Sequence, residues 1–398
     1  MPKIDKQKIE IILTRGVEEI IDFEHLRSVL LSGKRLRVKL GIDPTSPNLH
    51  LGRAIPLLKL KDFQELGHQV VFIIGDFTGV IGDTSDKDSE RLMLDPKIVK
   101  ENMKTYVKQI GKILDIKKCE IRYNSEWLKK LGYHEIGEQA DVFSLNEFIS
   151  RENISNRLKE GKRVSLREVL YPLMQGYDSV AVRADVEVGG RDQRFNLLAG
   201  RELQRHYGQN PQDIITNPLI EGLDGRKMSS SWGNTINLLD SADEMFGKIM
   251  SLRDDLIIRY FTLATRLDME LIKQYDKEMK EGANPRDYKL KLAKEIVRMY
   301  HGDKKAETAE QNFRKVFQLK QTPTRIPEYF ISEEKVFLPS LLKQSKMVSS
   351  AKEAKRLILA GAVEINGQVY KEWEKPFSFK GGEIIKVGKR RFLKIKKR

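Results

Sequence analysis

Within the stretch LGIDPTSPNLHLGR, Leu40–Arg53, one histidine and two glycines are spaced so that they could bind a polyphosphate. The apolar run Leu36–Ile42 predicts a buried parallel strand. Asp43-Pro44-Thr45 breaks it, and a helical pattern starts near His50. Strand, turn and helix in that order present backbone N–H groups and a positive dipole end to an anion. Gly41 and Gly52 leave room for a ligand to approach the main chain, and the His50 ring can reach a phosphate oxygen. A lysine in a flexible loop is the second such feature. GLDGRKMSSSWGN, Gly222–Asn234, sets Lys227 among glycines and serines, a composition that suits a mobile clamp on phosphates. Its ammonium is a point charge able to follow negative charge onto a departing pyrophosphate.

A second group of residues could hold a small polar molecule. Tyr171, Gln175 and Asp178 in YPLMQGYD are spaced by four and three residues, so a helix places them on one face. A phenol, an amide and a carboxylate together predict a polar cavity wall. ADVEVGGRDQ reads as a strand running into Gly189-Gly190 and then Asp192-Gln193. There a carboxylate could accept from ribose hydroxyls while the glycines permit approach. The loop GDFTGVIGDTS carries Asp76 and Asp83, and its continuation brings Lys87 and Arg91 towards the same edge.

The elements that must position these groups alternate. Strands at Leu36–Ile42, Val70–Ile74, Glu120–Tyr123 and Ile214–Asn217, separated by helical patterns, predict a parallel doubly wound sheet. Ligands in such sheets bind beyond the carboxyl ends of the strands, where the motifs fall. Residues 1–33 predict one or two amphipathic helices, and an insertion is expected over about 125–170. Helical periodicity takes over beyond Leu238, the Pro-bearing segment from Gln321 reads as a linker, and an amphipathic helix over Ser349–Ala360 precedes a hairpin at Asn366-Gly367. The expected domains are therefore 1–33, 34–236, 237–320, a linker over 321–338, and 339–398.

Charge points to a partner. The chain of 398 residues carries a formal net charge of +15. Residues 340–398 hold 16 Lys and Arg against 5 Asp and Glu, so 16 − 5 = +11 of it lies in this tail. A polyanion such as RNA is the expected partner, with Lys352, Lys355, Arg356, Lys389, Arg390 and Arg391 as its contacts. The single cysteine, Cys119, excludes an internal disulfide and a cysteine-built zinc site. The longest apolar run, Val70–Ile74, is too short to span a bilayer, so a cytoplasmic protein with no membrane partner is expected.

Together these motifs carry a resemblance. HLGR at His50–Arg53 and KMSSS at Lys227–Ser231 resemble the two signatures of class I aminoacyl-tRNA synthetases. GIDPT, GDFTGVIGD, YPLMQGYD and VGGRDQ narrow this to the bacterial tyrosyl-tRNA synthetase family. The resemblance implies a Rossmann-like catalytic domain, a helical tRNA-contacting domain and a small basic α+β domain of ribosomal-protein type. It implies ATP, with Mg2+, and L-tyrosine as substrates, tRNA(Tyr) as acceptor, a homodimer and no tightly bound cofactor. Asp178 would receive the substrate phenol, while Tyr171, Gln175 and Asp83 hold the ammonium, with Gln193 and Lys39 completing the tyrosine pocket. Gly41, Asp43, Gly52, Gly190 and Asp192 would contact ATP, joined by Met228, Ser229, Ser230 and Ser231 of the loop. Thr45 and His50 would grip the leaving phosphates, with Arg53, Lys87, Arg91, Lys227 and Ser230 completing the catalytic set. Three positions depart from the family: Arg53 replaces a histidine, Ser230 a second lysine, and Lys39 stands where many members place a tyrosine. A tryptophan-specific sister enzyme and a catalytically silent RNA-binding descendant are the alternative readings.

Overall fold

Near-continuous Val, Ile and Leu make strands that must be covered on both faces, and this requirement produces the sheet that positions the site. The computed structural model describes residues 4–85, 92–317, 326–332, 335–348, 350–388 and 391–397. β1 (Glu19–Ile21), β2 (Arg37–Ile42), β3 (Gln69–Ile74), β4 (Cys119–Tyr123), β5 (Val186–Gly190) and β6 (Asp213–Asn217) form one sheet in the order β1-β6-β5-β2-β3-β4. β2 to β6 are mutually parallel, whereas β1 runs antiparallel along the β6 edge. Val70–Ile74 of β3 are all fully buried. The chain leaves β2 towards β3 on one side and returns to β5 on the other, so the strand order reverses between β2 and β5. Such a switch point opens a crevice at the carboxyl ends of the two strands.

Two helices flank this crevice. Leu51–Leu66 starts at His50, its N-cap residue, as the sequence predicts, and stops at Gly67 in the left-handed conformation. Leu166–Val182 packs closely on Arg194–His206. There Gly176 lets the backbones approach: a Cβ on it would stand 3.1 Å from the Ala199 carbonyl carbon.

Residues 1–306 form one compact unit and residues 307–398 another. In the first, the helices Ala242–Met250, Ile257–Ala264, Met269–Lys280 and Pro285–His301 follow the sheet. The segment expected to be purely helical before Gly33 contains the strand β1 between Lys6–Thr14 and Phe23–Leu31. Three half-buried residues covering a sheet edge carry too little periodicity to register in sequence.

In the second unit, β7 (Glu328–Ile331), β9 (Val363–Ile365), β10 (Gln368–Val369), β12 (Ile384–Val387) and β13 (Arg391–Lys397) form a sheet in the order β10-β9-β12-β13-β7. β8 (Lys335–Phe337) pairs with β11 (Pro376–Ser378). The linker expected over 321–338 is therefore corrected. Glu328–Ile331 is a strand parallel to β13, and Leu338 is fully buried in the core of this unit. The prolines that suggested a linker only precede that strand. The amphipathic helix is Ala351–Leu359, whose cap Ser350 accepts from the Glu353 N–H. Asn366 and Gly367, with φ of 49° and 81°, turn β9 into β10 as expected.

Candidate active site

The cavity at the switch point, about 230 Å³, gathers the carboxyl ends of β2 and β5, the start of the helix Leu51–Leu66, one face of Leu166–Val182 and the Lys227 loop. His50 is 7 % exposed, and its Nδ1 has no hydrogen-bond partner. Burial first, then the positive charges of Arg53 and Lys227, push its pKa down to about 3. The ring is thus a neutral imidazole at working pH. Gly52 makes room for it, since a Cβ there would lie 3.1 Å from His50 Nδ1. The backbone that carries His50 is pinned by the segment leaving the lysine loop, which bridges to it at Asn237. Leu51 N donates to the Ile236 carbonyl and Leu238 N to that of Leu49, at 2.9 and 2.8 Å. The two motifs, far apart in sequence, are thereby one structural piece.

Cations and their partners ring this end. Lys227 Nζ stands 2.8 Å from Asp192 Oδ2. Arg53 turns back to donate to the Asp43 carbonyl at 3.2 Å and to Thr45 Oγ1 at 3.5 Å. The Ser46 and Ser230 hydroxyls are 3.2 Å apart, which ties the lysine loop to the turn after β2. Met228 is buried with its sulfur accepting from Gly52 N, Ser229 N donates to Asn234 Oδ1, and Ser231 stands in the cavity wall. Lys87, Arg91, Lys389 and Arg390 lie outside the described residues.

The other end is built on carboxylates. Asp43 accepts from the Tyr171 hydroxyl at 2.8 Å and from Thr78 Oγ1 at 2.7 Å. Burial drives its pKa up to about 6 against those two bonds, with Asp83 adding to the rise. A Cβ on Gly75 would fall 2.0 Å from Asp43 Oδ1, so glycine there is a steric requirement of this network. Asp178, 3 % exposed, accepts from Trp127 Nε1 at 2.8 Å and Asn124 Nδ2 at 3.4 Å. Burial lifts it to about 7, although the Lys39 charge and these donors oppose the rise. Asp83 accepts from Gln193 Nε2, and Asn196 Nδ2 donates to both Gln175 and Gln193 side chains.

Gly41, Gly190, Asp192, Gln175 and Gln193 all line the cavity alongside these groups. Lys39 does not. Its fully buried ammonium lies 2.9 Å from Glu187 Oε1 and 2.7 Å from Ser179 Oγ, behind the wall. Lys39 and Glu187 are direct neighbours across β2 and β5, and a buried ammonium is held where a carboxylate neutralises it. Lys39 therefore acts on the cavity indirectly, through the wall residues Glu187 and Gln175 that it contacts and through its charge on Asp178. Sequence reasoning missed Thr78, Asn124, Trp127 and Asn196. Asn124 directly follows β4 at the ligand edge, so the rule that located Asp43 could have found it.

A doubly wound sheet with a glycine-rich, histidine-led anion site at its switch point defines a nucleotide-binding α/β protein. The sequence model of class I tRNA synthetases (W and Y) matches residues 31–318, and that of the S4 domain matches residues 338–373. The chain belongs to the class I tRNA synthetases of the tryptophan and tyrosine family. It is 48% identical to a tyrosine–tRNA ligase of Carboxydothermus hydrogenoformans over 98% of both chains. It is 46% identical to that of Thermotoga maritima over 96% of both. The C-terminally truncated mitochondrial tyrosyl-tRNA synthetase of Aspergillus nidulans shares the fold, with a TM-score of 0.66 at 24% identity over 79% of this chain and 95% of that one. The Archaeoglobus fulgidus enzyme in complex with L-tyrosine does so with a TM-score of 0.61 at 23% identity, over 77% and 100%.

Proposed function

We infer that this protein activates L-tyrosine with ATP and transfers it to the 3′ end of tRNA(Tyr). The observation that carries the tyrosine reading is Asp178, a buried carboxylate in the cavity wall beside Tyr171, Gln175 and Asp83. A buried acceptor left unpaired penalises an amino acid lacking the hydroxyl far more than a methylene-sized difference would; the standard illustration of that rule is tyrosyl-tRNA synthetase itself. Tyr171, Gln175 and Asp83 would hold the ammonium, and Gln193 would orient Asp83.

The tyrosine carboxylate attacks the α-phosphate of ATP, forming the adenylate and releasing pyrophosphate. No protein nucleophile is required, so the chain's contribution is alignment and charge stabilisation. The partnerless, neutral His50 would donate to a phosphate oxygen, with Thr45 beside it. Lys227 would exchange Asp192 for the leaving pyrophosphate, and Arg53, Lys87 and Arg91 would add positive charge. Asp192 and Gly190 would then meet the ribose. ATP enters as its magnesium complex.

The helical segment after residue 237 and the C-terminal unit would carry the tRNA. Lys352 and Arg356 are exposed on one helix, and Lys355 Nζ stands 3.3 Å from the Trp373 ring centroid. Phosphate contacts of this kind weaken with salt. The exposed Tyr133, Leu145, Leu158 and Leu166 of the insertion support a homodimer interface there. No described helix is long and apolar enough to cross a membrane, in keeping with a cytoplasmic enzyme. The test is ATP–pyrophosphate exchange with each of the twenty amino acids: tyrosine alone should support it. Exchange with tryptophan only, or with none, would sink the reading.

A further inference from the structure

A second cavity, about 350 Å³, lies away from the sheet's ligand edge, between the N-terminal helix, the outer face of Leu51–Leu66 and the helix Pro285–His301. Its wall holds more cations than the nearby carboxylates neutralise. Lys8 pairs with Glu65, Arg266 with Asp62 and Arg298 with Glu295, at 3.7, 3.2 and 2.8 Å. Three further wall cations lack a carboxylate of their own among the described residues. Arg15 spends its guanidinium on the carbonyls of Phe261, Thr262, Thr265 and Leu267. Lys112 donates to the Tyr300 carbonyl at 2.9 Å, and Lys61 makes no ion pair or hydrogen bond with the described residues.

Tyr300 supplies the independent observation. It is a wall residue, 5 % exposed, and its buried hydroxyl has no hydrogen-bond partner. A tyrosine kept buried with an unused donor is a poor choice for packing alone, since phenylalanine would fill the space without stranding a polar atom. A hydroxyl donor and surplus positive charge around one hollow are what a phosphate group needs. The volume admits a group the size of pyrophosphate or larger.

We propose that this cavity is a second anion site, binding a small phosphate-bearing ligand through Lys61, Lys112 and the Tyr300 hydroxyl, separate from the phosphate end of the switch-point cavity. Nothing in this assignment depends on which amino acid the protein activates.

Calorimetric titration of the full chain with pyrophosphate tests it. The unaltered chain is expected to show two binding sites. Lys61→Gln combined with Lys112→Gln should weaken one at least tenfold and leave the other unchanged, and Lys227→Ala should do the reverse. Tyr300→Phe should weaken the first site at least threefold with an unchanged or raised thermal midpoint, which separates lost ligand contact from lost structure. Repeating the titration with adenosine diphosphate shows whether the site takes the free anion alone or a phosphate carried on a nucleoside. A single pyrophosphate site in the unaltered chain, or two that persist unchanged in the lysine double variant, would overturn the proposal.

Discussion

Asp178 carries a pH signature that falls near neutrality. An ordinary aspartate ionises near 3.8, while burial lifts Asp178 to about 7. The folded state therefore binds more protons than the unfolded one between those values, and its contribution to stability falls as pH rises through that window. Asp178→Asn should add roughly 1–3 kcal/mol at pH 8 and nothing at pH 4, read by urea unfolding. The same variant should lose at least a thousandfold in kcat/KM for tyrosine activation. With the native residue, KM for tyrosine should climb as pH drops from 8 to 6 while KM for ATP stays flat. A tyrosine KM independent of pH over that range would show that the Asp178 charge does not matter to binding. His50 should contribute no ionisation between pH 5 and 9, because its ring is already neutral throughout.

At the scale of elements, the turn after β3 is packed so tightly at Gly75 that glycine is the only residue that fits, and the first turn of the helix Leu51–Leu66 is crowded at Gly52. Gly75→Ala would drive a methyl into Asp43 and Thr78 and should cost about 1–3 kcal/mol, together with a raised tyrosine KM as the Tyr171–Asp43 bond is displaced. Gly52→Ala crowds only the His50 ring, so it should lower kcat about tenfold and spare tyrosine KM. The insertion carries its own anchor. Arg157 and Glu168, both 1 % exposed, stand 2.5 Å apart, and Arg157 also reaches the Arg163 carbonyl. Removing one partner leaves the other charged and buried, so Arg157→Ala should cost about 3–5 kcal/mol. A loss below about 1 kcal/mol in chemical denaturation would mean that the pair is solvated. Strand and helix positions around the cavity were readable in sequence because period and punctuation mark them locally. β1 was not, because an edge strand of three residues is defined by its neighbour β6.

For the whole molecule, a division of labour between the two compact units is expected. Truncation after Phe317 should leave tyrosine-dependent pyrophosphate exchange within about twofold of the intact chain. Charging of tRNA should fall at least tenfold and lose most of its dependence on salt, since phosphate contacts contribute that slope. Equal loss of both activities would contradict this division. The concentration of positive charge beyond residue 340 was visible from composition alone. That β7, inside the expected linker, belongs to this unit's sheet was not: a strand is completed by its partner, here β13 at the other end of the unit.

What the linear chain alone determined was the alternation of strands and helices, the glycines at the turns, and the residue types able to bind phosphate, ribose and a small polar molecule. These are local properties, carried by spacing and by chemistry that each residue keeps in any context. Only the tertiary structure decided which of those residues share a cavity. It moved Lys39 behind the wall, because the register of β2 against β5 offers its ammonium a buried carboxylate. It brought Trp127 and Asn124 to Asp178, because β4 ends at the same edge as β2. It also joined the His50 turn to the lysine loop by backbone hydrogen bonds between segments almost two hundred residues apart, a distance in sequence that no local pattern can encode.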